Sequence, residues 1–286
     1  MKAFITGSSR GQLHWELLRT VPEDVELLEL GERLDIGDDA AVQSAISMLK
    51  PDVIINAAAY TAVDKAESEP EQAMAINAGA VESLARASIA NDAHLLHVST
   101  DFVFGQGNGA PFVEDAEVAP VSVYGKTKLA GEQVLRRLMP DSSLCMRTAW
   151  VYSSHGNNFV KTMLRLMNER GEVGVIADQV GSPTWARALA AALWHAAARR
   201  SSGTMHWTGA GVAGWYDFAV AIHEEARALG LIDRPVTVKP LTTEQYPTPA
   251  ARPHYSVLEL TRTWQALDLR AEHWRNDLRT MLKELT

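Results

Sequence analysis

The sequence contains a single cysteine, Cys145, among its 286 residues. One cysteine excludes an internal disulfide and a cysteine-based metal cage, and it suits a reducing compartment. No apolar run approaches the ~20 residues that span a bilayer, and the apolar stretch at the N-terminus is too short for a signal peptide. We therefore expect a cytoplasmic protein that has no membrane segment.

The sequence also has fewer basic than acidic residues. It contains 27 Lys and Arg and 35 Asp and Glu, which give a formal net charge of -8. This balance argues against nonspecific binding of nucleic acid or of a membrane surface, which relies on basic patches. It does not exclude an anionic small molecule, because local charge decides that. A hydrophobic content of 47% with 22% charged residues is typical of a globular protein.

Strand and helix patterns alternate along the first half of the chain. The predicted strands are residues 2–6, 25–30, 52–56, 94–99 and 144–148, and the predicted helices are 12–20, 39–49, 69–91 and 123–138. Such alternation indicates a Rossmann-type, doubly wound parallel sheet with helices on both faces. Ligands of these folds bind at the carboxyl ends of the strands, and every polar cluster described below follows a predicted strand.

A glycine-containing loop, Thr6 to Leu13, follows the first strand and opens a helix. Glycines here permit a tight turn and let backbone N–H groups approach a pyrophosphate, to which the helix N-terminus adds partial positive charge. An ordinary strand-to-helix turn is the alternative. The loop predicts a dinucleotide site, with contacts from Gly7, Arg10, Gly11, Gln12 and Leu13.

Two residues favour different cofactors. Arg10 is suited to pair with a ribose 2′-phosphate, which favours NADPH, whereas Glu29 is suited to an unphosphorylated 2′-hydroxyl, which favours NADH. We predict NADPH, with NADH possible. His14 occupies the place where a third glycine often lies, and we interpret it as a packing residue.

Tyr124 and Lys128 are four residues apart, so on a helix they share one face. A nearby ammonium lowers the pKa of a tyrosine from ~10 toward the range useful for general acid–base catalysis. Thr100, which follows the fourth strand, is placed to bind a substrate carbonyl beside Tyr124. An exposed amphipathic helix start is the alternative for the pair alone. The three residues together predict reduction of a ketone by hydride from NAD(P)H.

Several segments resemble the extended short-chain dehydrogenase/reductase family, and within it the reductases of dTDP-4-dehydrorhamnose. The resemblance covers nearly the whole chain. The matching segments are 11–13, 55–67, 99–104, 124–132, 147–152, 178–184 and 252–256.

The resemblance implies reduction of the C4 keto group of dTDP-4-dehydro-L-rhamnose to dTDP-L-rhamnose by the catalytic residues Thr100, Tyr124 and Lys128. A homodimer and a bound Mg²⁺ are possible in such a family, although no metal ligand set is evident in the sequence. Further cofactor contacts are implied for Asp35, Ile36, Ala58, Ala59 and Tyr60, in addition to Tyr124 and Lys128. Substrate contacts are implied for Thr61, Asp101, Val103 and Trp150, and Arg252 between two prolines is suited to clamp a diphosphate.

The phosphate loop departs from the pattern of this family. It reads Gly7-x-x-x-Gly11, one residue longer than usual, with His14 in the last position. Three alternatives stay open: a reductase of another nucleotide-linked keto sugar, a 4-epimerase, and a noncatalytic regulatory subunit of the same fold. We expect residues 1–150 to form the NAD(P)-binding domain and 151–286 to form mainly a substrate-binding lobe, with some segments that return to the sheet.

Overall fold

Alternating strands and helices make up most of the chain in the computed structural model, which describes residues 1–31, 33–107 and 109–286. The strands are β1 (Lys2–Thr6), β2 (Glu26–Leu28), β3 (Val53–Asn56), β4 (His94–Thr100), β5 (Ser143–Thr148), β6 (Val151–Tyr152), β7 (Glu172–Ile176), β8 (Val180–Gly181), β9 (Thr184–Trp185), β10 (Gly203–His206), β11 (Ala213–Gly214) and β12 (Thr237–Leu241). The α-helices are α1 (Gln12–Arg19), α2 (Asp39–Leu49), α3 (Val63–Ala66), α4 (Pro70–Met74), α5 (Ala80–Ala90), α6 (Val123–Leu138), α7 (Phe159–Glu169), α8 (Ala186–Ala198), α9 (Trp215–Ala228), α10 (Thr261–Leu267) and α11 (Trp274–Leu282).

Six parallel strands form the central sheet, in the order β10-β5-β4-β3-β1-β2. Every residue of β3 and β5 is buried, as expected for strands that helices cover on both faces. The predicted Rossmann-type parallel sheet is therefore confirmed. The strand order reverses between β1 and β3, and this switch point is where such sheets bind ligands.

Helices pack on both faces of this sheet. Helices α1 and α8 pack together over one apolar cluster, which includes Leu17 and Trp194. On the other face, α2 and α5 pack together, as do α5 and α6, around a second cluster that includes Ile46 and Leu84. Both α8 and the edge strand β10 lie beyond residue 150, so the later part of the chain contributes to the sheet and to its cover.

A separate apolar core lies in the second half of the chain. It gathers α7, α9 and α11 around Tyr152, Phe218 and Trp274. Three two-stranded sheets, β7 with β12, β8 with β11 and β6 with β9, complete this part. Within the described residues, none of the helices combines the length and the apolar character needed to cross a bilayer.

The long helix predicted for residues 69–91 is interrupted. It consists of α4 and α5 joined by a π-helical turn at Ala75–Gly79. The turn presents Asn77, whose side-chain amide accepts from the backbone N–H of Tyr60 (2.9 Å) and donates to the Thr127 hydroxyl (3.0 Å). Single π turns often occur at functional sites. Here the tertiary bonds of one buried amide override the regular helical period that the alanine-rich sequence predicted.

Candidate active site

Helix α6 holds Tyr124 and Lys128 one turn apart, as the sequence predicted. The helix begins where the Ser122 hydroxyl accepts from the backbone N–H of Gly125 (3.2 Å). The Glu67 carboxylate accepts from the N–H of Val123 (2.8 Å) and so ties this helix start to α3. Sequence reasoning did not single out Glu67 for this role.

Two glycines allow α6 to lie against its neighbours. A Cβ at Gly125 would lie 2.2 Å from the carbonyl oxygen of Phe102, and a Cβ at Gly131 would lie 2.2 Å from that of Asn77. Any side chain at either position would push the helix away. The glycines therefore set the depth of Tyr124 and Lys128 beside β4.

Thr100 ends β4 and caps the 3-10 turn Asp101–Val103. Its hydroxyl oxygen accepts from the N–H of Phe102 (3.2 Å), and the hydroxyl donates to Asp101 Oδ1 (3.0 Å). The Phe102 ring contacts Tyr124 edge-on, at 5.6 Å between ring centroids. Thr100 also hydrogen bonds to Tyr124. The hydroxyls of Thr100 and Tyr124 thus meet where β4 ends.

The pKa of Tyr124 shifts in the direction opposite to the one the sequence predicted. Burial raises this pKa to about 12, because the phenolate loses its hydration, and the Asp101 carboxylate adds to the increase. The hydrogen bond to Thr100 acts the other way. A neutral phenol is the form that donates a proton, so the site as folded suits the reduction direction.

Lys128 is 1% exposed and lies deep beneath the site. Its Nζ donates to the backbone carbonyl of Val98 (2.7 Å) and lies 3.1 Å from His97 Nε2. Burial lowers the pKa of Lys128 to about 8. Sequence reasoning missed His97, and the available signal was its place two residues before Ser99 on the same strand.

Asp101 is an almost fully buried carboxylate next to the two hydroxyls. Burial raises its pKa to about 6, while the Ser256 and Thr100 hydroxyls act in the opposite direction. Within the described ranges, its Oδ2 has no hydrogen-bonding partner. Such an acceptor suits a hydroxyl of a polar substrate that lies over Thr100 and Tyr124.

The phosphate loop follows β1 as predicted. Gly7 has φ +127°, a conformation that favours glycine, and the N–H of Gly11 bonds to the carbonyl of Ser8 (2.8 Å). Gly11, at the N-cap position of α1, has no side chain with which to cap the first N–H groups, and a helix N-terminus is suited to bind an anion. Gln12 begins this helix, Leu13 packs toward the sheet, and Arg10 is exposed.

A cavity of about 350 Å³ lies beside this loop, between the ends of β1 and β2. Backbone and side chains of Gly7, Ser8 and Ser9 line it, together with Glu29 and Arg33. His14 also lines it, with Nδ1 3.4 Å from the Thr6 carbonyl, which agrees with a packing role. Arg33 is a basic residue in the lining of this cavity, and sequence reasoning overlooked it. A glycine turn, a helix N-terminus and an adjoining cavity fit a dinucleotide.

The segment Ser153–Asn158 packs against the phosphate loop from the second half of the chain. His155 Nε2 bonds to the carbonyl of Ser9 (2.7 Å), and the His155 ring stacks on Trp15. Asn158 Nδ2 donates to Gln12 Oε1 (3.0 Å). These contacts hold in place the phosphate loop, which is one residue longer than expected. The sequence analysis did not predict them.

The other predicted cofactor residues lie after β2 and β3. The Asp35 carboxylate accepts from the N–H of Gly37 (3.0 Å) in a turn, and Ile36 is buried in the apolar cluster under α2. The N–H of Ala58 donates to Asn56 Oδ1 (3.2 Å), and Ala59 follows it half-buried. The hydroxyl of Tyr60 donates to Glu69 Oε2 (2.8 Å).

The predicted substrate residues differ from one another in exposure and in packing. Thr61 is exposed, whereas Val103 is 0% exposed inside an apolar cluster with Phe104 and therefore contributes packing and not an open wall. Trp150, at φ +49°, stacks on Trp215 at 3.6 Å between ring centroids.

Arg252 forms an ion pair in this structure. Its Nη2 lies 2.8 Å from Asp64 Oδ2, and its Nη1 donates to Asp64 Oδ1 (3.0 Å). The pair joins the loop after β12 to α3 beside the site. A diphosphate clamp at Arg252 stays a prediction, because it requires the guanidinium to leave or share this carboxylate.

Comparisons with known proteins agree on one family. Residues 1–286 match the family model described as RmlD substrate binding domain. The dTDP-4-dehydrorhamnose reductase of Escherichia coli (strain K12) is 41% identical over 285 residues, covering 96% of this chain and 95% of the relative. That of Aggregatibacter actinomycetemcomitans is 40% identical, covering 98% of each chain.

Two solved structures resemble the fold throughout. A dTDP-4-dehydrorhamnose reductase of Clostridium acetobutylicum superposes with a TM-score of 0.92 at 40% identity, covering 100% of this chain and 99% of the other. One of Bacillus anthracis, in complex with NADP, has a TM-score of 0.91 at 35% identity and covers 99% of each chain.

Proposed function

The chain belongs to the RmlD substrate binding domain family, and on that premise we propose that it reduces the C4 keto group of dTDP-4-dehydro-L-rhamnose to the alcohol of dTDP-L-rhamnose, with NAD(P)H as reductant. The observation that carries the proposal is the convergence of Thr100, Tyr124 and Lys128 at the carboxyl end of β4. The phosphate loop begins at the end of β1 in the same sheet.

Each residue of the trio has a distinct task. With its hydroxyl turned from Asp101 to the substrate, Thr100 donates a hydrogen bond to the C4 carbonyl oxygen and aligns it with Tyr124. When bound, the reduced nicotinamide supplies the hydride that C4 accepts. Tyr124 gives its phenolic proton to the resulting alkoxide oxygen, so that a ketone, a hydride and a proton yield the alcohol. Lys128 binds cofactor ribose and stabilises the tyrosinate that the proton leaves behind.

NADPH is the preferred reductant in this proposal. Arg33 lines the cavity beside the phosphate loop, and Arg10 stands exposed in that loop. A guanidinium pairs well with a phosphate, which supports binding of a ribose 2′-phosphate. Glu29 lines the same cavity and leaves NADH as a weaker alternative.

Wider assignments follow from the same proposal. We assign residues 1–150 mainly to the cofactor and 151–286 mainly to the substrate, with α8 and β10 returned to the central sheet. Trp150 would then form a wall of the sugar pocket, and Asp101 would accept from a sugar hydroxyl. We place the reaction in the cytoplasm, and a homodimer stays a prediction that a solution mass measurement tests.

A substrate panel tests the function. Purified protein is mixed with NADPH or NADH and with dTDP- and GDP-linked 4-keto sugars, and nicotinamide oxidation and sugar products are followed. We expect stoichiometric oxidation with dTDP-4-dehydro-L-rhamnose. An epimerase would convert the sugar without net oxidation, a noncatalytic subunit would convert none, and a reductase of another sugar would prefer another member of the panel. Any of these results contradicts the proposal.

A further inference from the structure

Asn158, at the end of the segment that packs on the phosphate loop, bonds to a side chain of that loop. Its Nδ2 donates to Gln12 Oε1 (3.0 Å), and Gln12 is the first residue of α1. A Cβ at Gly156 would lie 3.1 Å from the carbonyl oxygen of Arg10, so the backbone of the segment lies directly against the loop. A residue of the second half of the chain therefore contacts the helix end that is suited to an anion.

The orientation of the Asn158 amide follows from helix α7, which Asn158 caps. Its Oδ1 accepts from the backbone N–H of Lys161 (3.1 Å). A backbone N–H only donates, so the atom that faces it must be the carbonyl oxygen. The amide nitrogen then lies on the other side and uses its two N–H groups, one for the carbonyl of Ser153 (2.7 Å) and one for Gln12. The cap of α7 thus determines which atom of Asn158 faces Gln12.

The orientation of the Gln12 amide follows in turn. Because Asn158 Nδ2 only donates, the atom of Gln12 that meets it must be the acceptor Oε1. The Nε2 atom lies on the other branch of the Gln12 amide and carries two N–H donors. The part of this side chain that is left for a ligand is therefore a donor, which suits the oxygens of a diphosphate.

Asn158 is itself held by the core of the second half. Helix α7 begins at Phe159, whose ring centroid lies 4.7 Å from that of Trp215, and Val160 and Met167 of this helix are fully buried. A glutamine side chain has several rotatable bonds, and fixing them when a ligand binds costs conformational entropy. A partner that fixes them beforehand reduces this cost and increases the affinity for the ligand.

We propose that Asn158 is a positioning residue for the cofactor, which holds Gln12 so that its Nε2 donates to the diphosphate of NADPH. The proposal deepens the reductase function proposed above and rests on it for the identity of the cofactor. Asn158 acts through Gln12 and takes no part in the transfer of hydride or proton. The second half of the chain then contributes to cofactor affinity as well as to the substrate lobe.

Calorimetric titration of the full chain with NADPH, in the absence of sugar, tests the proposal without any assay of turnover. In Asn158→Ser the hydroxyl still caps α7, since serine is a favoured N-cap residue, but it is too short to reach Gln12 as well. We expect the Kd for NADPH to rise about three- to tenfold, the scale of one lost hydrogen bond, and the Kd for dTDP to stay unchanged. An unchanged Kd for NADPH, or an equal rise in both constants, would overturn the proposal.

Asn168→Ser is the matched control on the same helix. Asn168 lies near the other end of α7, where its Nδ2 donates to the carbonyl of Leu231 (3.0 Å). This variant loses the same amide group without a contact to the phosphate loop, so its Kd for NADPH should equal that of the wild type. A rise as large as that in Asn158→Ser would assign the effect to α7 as a whole and would contradict a role specific to Asn158.

A double-mutant cycle shows whether Asn158 acts through Gln12. Gln12→Ala removes the amide that Asn158 orients. In that background Asn158→Ser should change the Kd for NADPH by less than about twofold, because independent sites alone give additive effects. Equal increases in the Gln12→Ala and wild-type backgrounds would refute the proposed role of Asn158.

The substrate panel separates this proposal from the reductase function. If Asn158→Ser binds NADPH as tightly as the wild type, and the wild type reduces the keto sugar, only the role of Asn158 is refuted. If the cycle gives the expected Kd values but the wild type turns over no keto sugar, the reductase function is refuted and the role of Asn158 in NADPH binding stands. A wild-type chain that does not bind NADPH would refute both.

Discussion

The contact between Gly125 and Phe102 makes the strongest mutational prediction. In Gly125→Ala the new Cβ would lie 2.2 Å from the Phe102 carbonyl oxygen and 3.0 Å from Cβ of Pro120. Because real Cβ contacts do not occur below 3.0 Å, the start of α6 must move by about 1 Å. Tyr124, the residue just before Gly125, moves with it.

The expected losses differ for activity and stability. A misplacement of ~1 Å reduces catalysis by about 10²-fold, so we expect kcat to fall by that order. Overpacking destabilises by ~1–3 kcal/mol, while alanine in place of a helical glycine returns ~0.5–1 kcal/mol. The net loss of unfolding free energy should therefore be roughly 0–2.5 kcal/mol, and the variant should stay folded.

Gly79→Ala is the matched control, because a Cβ there would meet none of the residues that the structure describes within 4 Å. Both variants are compared by steady-state kinetics with keto sugar and NADPH and by urea unfolding. Gly79→Ala should keep wild-type kcat. If Gly125→Ala kept it too, or if both variants lost it equally, the idea that close helix packing positions Tyr124 would be wrong.

Three other predictions concern buried charge and the cofactor. Because the pKa of Asp101 rises from 3.8 to about 6 on folding, the folded state binds the extra proton and its stability falls as pH rises through that window. Across this pH range, the unfolding free energy measured with urea should fall less in Asp101→Asn than in the wild type. An identical fall in both proteins would refute the assignment. Glu132→Gln breaks a pair with Arg147 in which both side chains are 1% exposed, and should reduce the unfolding free energy by about 3–5 kcal/mol in the same assay; a loss below 1 kcal/mol would contradict it. Arg33→Ala should raise KM for NADPH about tenfold and leave KM for NADH unchanged, with Arg10→Ala for comparison, and equal changes for both cofactors would exclude a 2′-phosphate contact.

The local patterns of the sequence were sufficient for the sheet and for the placement of Tyr124 and Lys128 on one helix. Hydrophobic runs that alternate with helical periodicity predicted the five strands before residue 150, and α2 and α6 begin and end where the pattern placed them. The spacing of Tyr124 and Lys128 needs only the helical period, so it was readable too.

Features set by tertiary contacts were not readable in this way. The π turn depends on the hydrogen bonds that Asn77 makes to Tyr60 and to Thr127, and Thr127 lies fifty residues further along the chain. The pKa of Tyr124 depends on burial, which outweighs the charge expected from Lys128. The place of His97 in the site depends on the register between strands, which the pattern of a single strand does not contain.

The central claim is that the Tyr124 phenol delivers the proton to the reduced sugar. Its most direct test is Tyr124→Phe, measured for turnover of dTDP-4-dehydro-L-rhamnose and for NADPH affinity, with the exposed Tyr246→Phe as control. We expect turnover to fall at least 10²-fold, the scale of general acid catalysis, with NADPH affinity nearly unchanged. Wild-type turnover in Tyr124→Phe would contradict the account.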